Sequence, residues 1–150
     1  MSCFAGYRSH PRPHRRGPPA GLDSSNNLYI AEFTGYRISK VTSGGIISTV
    51  AGTGTWGSAG DGGPATNAQL ANPSGVAIDA HGSLYIADYY NSKIRRVDPM
   101  GTVTTIAGDG VQGFSGDGGS ALGARLKLPY RLQFDTGGNL VFLDAGNNRV

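Results

Sequence analysis

Leu84-Tyr85-Ile86-Ala87-Asp88 occurs twice more in related form, as Leu28-Tyr29-Ile30-Ala31-Glu32 and as Leu140-Val141-Phe142-Leu143-Asp144. The spacing is 56 residues each time, and the flanking sequence keeps step. Thr49-Val50-Ala51-Gly52 returns as Thr105-Ile106-Ala107-Gly108, Gly60-Asp61-Gly62-Gly63 as Gly116-Asp117-Gly118-Gly119, and Pro73 as Pro129. Residues 28–83 set on 84–139 need no gap, and about 22 of the 56 pairs are identical. Self-similarity at a fixed period of roughly 20–50 residues marks solenoids, propellers and arrays. This period is slightly longer, and the extra length sits in one loop.

One complete period, 74–129, reads as four short strands. Gly75–Asp79 is a short β-branched run, Thr102–Ala107 is rich in β-branched residues, Lys93–Val97 reads as the third strand between them, and Leu84–Ala87 is too short and too apolar for a surface helix. Between them lie the turn segments Ala80-His81-Gly82-Ser83, Asp88-Tyr89-Tyr90-Asn91-Ser92 and Asp98-Pro99-Met100-Gly101. Their Gly, Asp and Asn residues supply positive φ or bond their own backbone. Four strands joined by tight hairpins make an antiparallel meander. A loop follows at 108–128, with its counterpart at 52–72. Pro64 suits the first position of a helical turn there. Leu70 and Leu126 are expected to tuck that turn under the next repeat.

Composition narrows the classes. Gly is 25 of 150 residues, well above the usual ~7%, and it falls at the turns of the repeat, so the chain is not a disordered linker. No apolar run approaches the ~18 residues of a membrane helix. Of the net charge of +3, four arginines (Arg8, Arg12, Arg15 and Arg16) lie in residues 1–16, which hold no acid. The remaining residues carry 9 basic and 10 acidic side chains, so the repeat body is close to neutral. A nucleic-acid partner needs clustered Lys and Arg and is not expected of that body. Residues 1–16 match nothing in the repeat and read as a disordered basic tail without the apolar stretch of a secretory signal. A basic arm for an acidic partner is the functional alternative. Cys3 is the one cysteine, so no intrachain disulfide forms.

A four-stranded meander recurring at fixed spacing is the blade of a β-propeller. Pro73-Ser74-Gly75-Val76-Ala77-Ile78-Asp79, Gly82-Ser83-Leu84-Tyr85-Ile86-Ala87-Asp88 and Asn91-Ser92-Lys93-Ile94-Arg95-Arg96-Val97 resemble the NHL repeat. The added Gly-Asp-Gly-Gly-Pro-Ala-Thr loop resembles the long-loop repeats of teneurins and of bacterial secreted and cell-surface proteins. The fold class expected is therefore all-β. It is a partial propeller of about two and a half blades over residues 17–150, with copies at about 17–72, 73–128 and 129–150, the last stopping inside its third strand. The resemblance implies a propeller of six blades when complete, with an extracellular or cell-surface setting and a binding role on one face. It does not fix the partner.

Strand reversals put the second-to-third-strand turn and the long loop at one end of the blade. That end carries Trp56 and Phe114 from the loops and Tyr89 and Tyr90 from a turn. These aromatics are the candidate contact surface for a protein or glycan partner. Asp61 and Asp117, each alone among glycines, are expected to cap or turn the loop rather than bind calcium. Asp88 and Asn91 recur as Asp144 and Asn147, with Lys93 recurring as Arg149. A catalytic set is usually built once, so these residues are expected to form a turn bond and an exposed ion pair. His10, His14 and His81 do not lie on innermost strands, and no Ser-His-Asp set, P-loop or CxxC is present. Catalysis, a cofactor and a metal are not expected. The alternatives are a propeller-type hydrolase or lyase fragment and an RNA-binding NHL module. Self-association to complete a ring is a further possibility for a chain that reads as part of a larger array.

Overall fold

The structure, a computed structural model, describes residues 20–150. The expected basic tail, residues 1–16, falls outside the described residues. Three antiparallel sheets follow one another along the chain. The first contains β1 (Ala20–Leu22), β2 (Leu28–Glu32), β3 (Arg37–Val41) and β4 (Ile47–Ala51), in that spatial order. The second contains β5 (Pro73–Ile78), β6 (Leu84–Asp88), β7 (Lys93–Val97) and β8 (Val103–Ala107), again in order. The third is a pair, β9 (Pro129–Phe134) and β10 (Leu140–Asp144). Each sheet is one blade. After β10 the chain forms a 3-10 turn, Ala145–Asn147, and Arg149 makes only an isolated bridge back to Asp144. The third strand expected to begin there is absent among the described residues.

The hairpins are fixed by aspartates. Asp79 Oδ1 accepts the backbone N–H groups of His81 (2.9 Å) and Ser83 (2.8 Å), and Oδ2 accepts the Tyr85 hydroxyl (3.1 Å). Asp23 makes the same three kinds of bond with Ser25, Asn27 and Tyr29. Such local bonds are why Asp recurs at turns.

The middle blade packs against a neighbour on each face, and its apolar strand residues divide between the two. Successive strand residues point to opposite faces. Val76, Ile86, Val97 and Val103 pack toward the first blade with Ala31, Ile38 and Leu70. Ala77, Ala87, Ile94 and Ala107 pack toward the third with Leu126 and Leu132. Leu70 is fully buried and Leu126 nearly so, as expected, and burial of such a side chain contributes about 1.5–3 kcal/mol.

The long loop does more than connect. After β4 it crosses to the next blade and lies along the outer strand, β8. Gly62 N–H donates to Val103 O (2.7 Å), Val103 N–H donates to Gly63 O (3.0 Å), and Ala65 N–H donates to Gly101 O (2.8 Å). The segment Gly60–Pro64 is thus a clasp that pairs an otherwise open sheet edge, the feature most prone to unwanted pairing. Glycine is required at its start: Gly60 has φ +103°, and a Cβ there would sit 2.6 Å from Ala68 Cα. Pro64 precedes the 3-10 turn Ala65–Asn67 in an extended conformation (φ −58°, ψ 129°) rather than opening it.

Candidate functional site

The first strand of each blade enters at the same end as its second-to-third-strand turn, because Pro73 pairs with Asp88 and Asp88 with Lys93. Asp88, at that end of β6, is fully buried. It accepts the Ala71 N–H (2.7 Å), the Asn91 amide (2.8 Å) and Arg95 Nη1 (3.2 Å). Burial pushes its carboxyl up to about 6, and the bonds from Asn91, Ala71 and Arg95 oppose the rise without cancelling it. The ion pair expected here was an exposed one with Lys93. The pair observed is buried, and its cation is Arg95, whose side chain has no exposure. Arg95 Nη2 reaches Asp61 Oδ1 at 2.8 Å, and the Thr105 hydroxyl donates to Asp61 Oδ2 at 2.5 Å. Asp61 is therefore not a helix cap, since the neighbouring 3-10 turn has no side-chain cap bond. Asp61 ties the clasp to β7 and β8.

The third blade repeats the constellation with a shifted cation. Asp144 accepts the Lys127 N–H (2.7 Å), the Asn147 amide (2.7 Å) and Arg149 Nε (2.8 Å), while Arg149 Nη1 holds Asp117 at 2.6 Å. Arg149 stands at the position of Lys93, two residues before that of Arg95. Arg149 bridges Asp144 as Lys93 pairs with Asp88, and Lys93 and Arg95, two apart on β7, share a face, so either position serves. In the first blade Arg37 binds Glu32 at 2.9 Å, and the Ser39 hydroxyl donates to the same carboxylate. Asn91 and Asn147 each donate to the loop above, at Gly57 O and Gly113 O, both at 2.7 Å. These groups hold the turn and the loop in place, and they leave the aromatic side chains to face outward.

Tyr89 is the centre of an aromatic cluster. Its ring meets those of Phe33 (5.7 Å between centroids), Tyr90 (5.0 Å) and Tyr130 (6.4 Å), all edge to face. Tyr90 is 48% exposed and Phe33 37%. Of the four predicted contact residues, the structure joins Tyr89 and Tyr90 only. Trp56 is exposed on its loop, and Phe114 lies under the Arg149 guanidinium at 4.3 Å. Phe33 and Tyr130 were missed. Phe33 is the repeat counterpart of Tyr89 and could have been found by register. Tyr130 replaces Ser74 and left no signal in the repeat.

Next to Tyr130, Arg131 extends the cluster with a cation, its guanidinium 5.8 Å from the Tyr130 ring centroid. Arg131 occupies the place of Gly75 but has φ +48°. The pairing of β9 with β10 skips it, Phe142 facing Leu132 and Leu143 facing Tyr130, so Arg131 is a bulge. In the middle blade the bulged residue is Ser74. Bulges of this kind re-aim side chains and cluster beside functional sites. The innermost strands are in close approach here, for a Cβ on Gly75 would lie 3.0 Å from Arg131 Cα. Three blades thus contribute Phe33, Tyr89, Tyr90, Tyr130 and Arg131 to one patch that can stack on an apolar or planar group and donate to an oxygen. Among the described residues no three His, Cys, Asp or Glu side chains are placed to hold a metal ion, and His81 is exposed in the β5–β6 turn.

The family model for the Teneurin NHL domain matches residues 54–115. The chain is 36% identical over 99 residues to Teneurin-1 of Gallus gallus, covering 56% of this chain and 4% of that protein. It is 37% identical over 82 residues to the chloroplastic Protein SUPPRESSOR OF QUENCHING 1 of Arabidopsis thaliana, covering 54% of this chain and 8% of that protein. The chain therefore spans less than a tenth of the length of these relatives. Among solved structures, a protein of unknown function from Bacteroides thetaiotaomicron superposes with a TM-score of 0.70 at 28% identity, over 78% of this chain and 29% of that one. Taken with the ungapped 56-residue repeat and the stacked four-stranded meanders, these matches make the chain similar to the NHL-repeat β-propeller proteins.

Proposed function

We propose that this propeller segment is a non-catalytic binding module that engages a protein or glycan partner through the patch of Phe33, Tyr89, Tyr90, Tyr130 and Arg131. The observation that carries the reading is the edge-to-face cluster around Tyr89, drawn from three blades and left exposed at Tyr90 and Phe33. Aromatic residues and arginine are the side chains that dominate binding hot spots. Trp56, 60% exposed, and Phe114, 62% exposed, stand on the loops as outlying contacts. The likeness to teneurins supports an extracellular or cell-surface setting and a non-enzymatic role.

The test is a screen of the chain on a glycan microarray and on a panel of extracellular proteins, repeated with Tyr90→Ala. Tyr90 is half exposed, so the substitution leaves the melting temperature nearly unchanged. A hot-spot loss of about 2 kcal/mol would weaken a genuine ligand by roughly thirtyfold. Ligands whose binding is untouched by both Tyr90→Ala and Phe33→Ala would remove the patch from consideration.

A further inference from the structure

The first blade has an outer edge that the second does not. Val103, at the start of β8, has no exposure because Gly62 and Gly63 pair with it. Its counterpart Ile47, at the start of β4, is 65% exposed, and the neighbouring Ile46 is 69% exposed. The two strands are otherwise in the same register, Ile47 facing Val41 as Val103 faces Val97. Thr42 N–H donates to Ile46 O just as Asp98 N–H donates to Thr102 O, so the N–H and C=O of Ile47 point to the open edge as those of Val103 point to the clasp.

We propose that the outer edge of β4 is a receptor for an extended Gly-Asp-Gly-Gly segment, bound by strand addition as Gly60–Pro64 binds β8. The side chains for the aspartate are in place. In the third blade Arg149 binds Asp144 through Nε and takes the clasp residue Asp117 through Nη1. Arg37, at the same repeat position, binds Glu32 through Nε and pairs with no second carboxylate among the described residues. Thr49 stands where Thr105 donates to Asp61. Gly45 stands where Gly101 O accepts the Ala65 N–H. The receptor thus offers a main-chain ladder, an arginine and a threonine hydroxyl, complementary to an acidic, glycine-rich strand. Residues 1–19 contain no Asp or Glu and cannot supply that acid. Asp117 in the second loop is already held by Arg149. The occupant is accordingly a Gly-Asp-Gly-Gly segment from another repeat, and the aromatic patch plays no part in its capture.

The experiment titrates the full chain, labelled with nitrogen-15, with a synthetic peptide of the sequence of residues 59–67 (Ala-Gly-Asp-Gly-Gly-Pro-Ala-Thr-Asn). The expected result is amide shifts confined to Arg37 and residues 45–50. Replacing the peptide's Asp by Asn, or Arg37 by Gln in the protein, should weaken binding by up to about fivefold, the range of an exposed ion pair. Arg37 is half exposed, so Arg37→Gln keeps the fold. Ile47→Pro removes the N–H and should abolish the shifts, whereas Ile47→Thr should retain them. A peptide of the same composition in scrambled order that shifts the same amides equally would overturn the proposal. So would shifts centred on Tyr89 and Tyr130, or no shifts at millimolar peptide. Protection of the Ile47 amide that grows with chain concentration and resists the peptide would give the edge to a second copy, and would overturn it as well.

Discussion

Arg95→Met removes the cation that joins the strand end to the clasp while keeping most of the side chain's length. Arg95 is fully buried between Asp88, itself fully buried, and Asp61, which is 39% exposed. Breaking a buried ion pair by removing one partner costs about 3–5 kcal/mol. Asp88 keeps its bonds from Ala71 and Asn91, and Arg95 Nε has no acceptor to lose. The expected loss is therefore at the low end, about 3 kcal/mol at pH 7.5. Its pH dependence is the sharper test. Burial raises Asp88 from the ordinary 3.8 to about 6. A carboxyl that binds its proton more tightly in the folded state makes the protein lose stability as pH rises between those values, here by about 3 kcal/mol. Without Arg95 the folded-state value climbs further, and each added unit costs about 1.4 kcal/mol once the pH passes it. The variant's deficit should be smallest near pH 4.5, where Asp88 is protonated in both proteins, and should widen above pH 6. Urea unfolding followed by circular dichroism at pH 4.5 and 7.5 measures it, with Asp88→Asn as the control that removes this window. An equal deficit at both pH values would refute the reasoning, as would a variant more stable than the parent at pH 7.5.

Other substitutions probe the packing. Gly108→Ala should cost about 3 kcal/mol or more, since φ is +92° and the new Cβ would lie 2.2 Å from Ser92 O, while Gly82→Ala at φ +85° meets nothing within 4 Å and should cost about 1 kcal/mol. Thermal melts of the pair separate steric clash from backbone strain. Leu70→Ala empties a fully buried site between the first two blades and should cost about 2–5 kcal/mol by chemical denaturation. Arg131→Gly relieves a left-handed backbone and should stabilise the chain by up to about 1 kcal/mol while weakening any ligand of the aromatic patch. Moving the cation, as Lys93→Arg with Arg95→Ser, should recover part of the stability that Arg95→Ser alone loses, measured by the same denaturation series.

The sheets were legible because the repeat carries its own alignment. The Leu-Tyr-Ile-Ala-Asp run and the turn segments 80–83, 88–92 and 98–101 placed β6 within a residue of its end and β7 at its observed bounds. The long loop was read as a connection, the place where the period's extra length sits. Its pairing with β8 depends on main-chain groups, which no side-chain pattern records. The site was legible only in part. Tyr89 and Tyr90 are adjacent in sequence, and their turn predicts a shared end. Phe33 and Tyr130 join them through the stacking of three blades. That contact crosses 56 residues in one direction and about 40 in the other. Trp56 and Phe114 occupy different repeat positions, and so aromatic content alone could not bring them to the patch.

The wandering arginine shows what the repeat preserves. Position by position, the third residue of β7 is Arg95 and its first-blade counterpart is Ser39, while the first is Lys93, Arg37 or Arg149. Residue identity varies at both places, Arg, Lys and Arg at the first and Ser and Arg at the third. The charge arrangement survives in the second and third blades, because both positions lie on the strand face toward the acid at the end of the second strand, and a guanidinium is long enough to reach that acid and the clasp from either one. Lysine could not do so equally, since it offers a point charge where two carboxylates must be spanned by a fork. The constraint on the repeat is thus one arginine per blade on that face. The first blade satisfies it with Arg37, which binds Glu32 and no second carboxylate among the described residues, and under the proposal above that free capacity makes the open edge of β4 selective for an acidic strand.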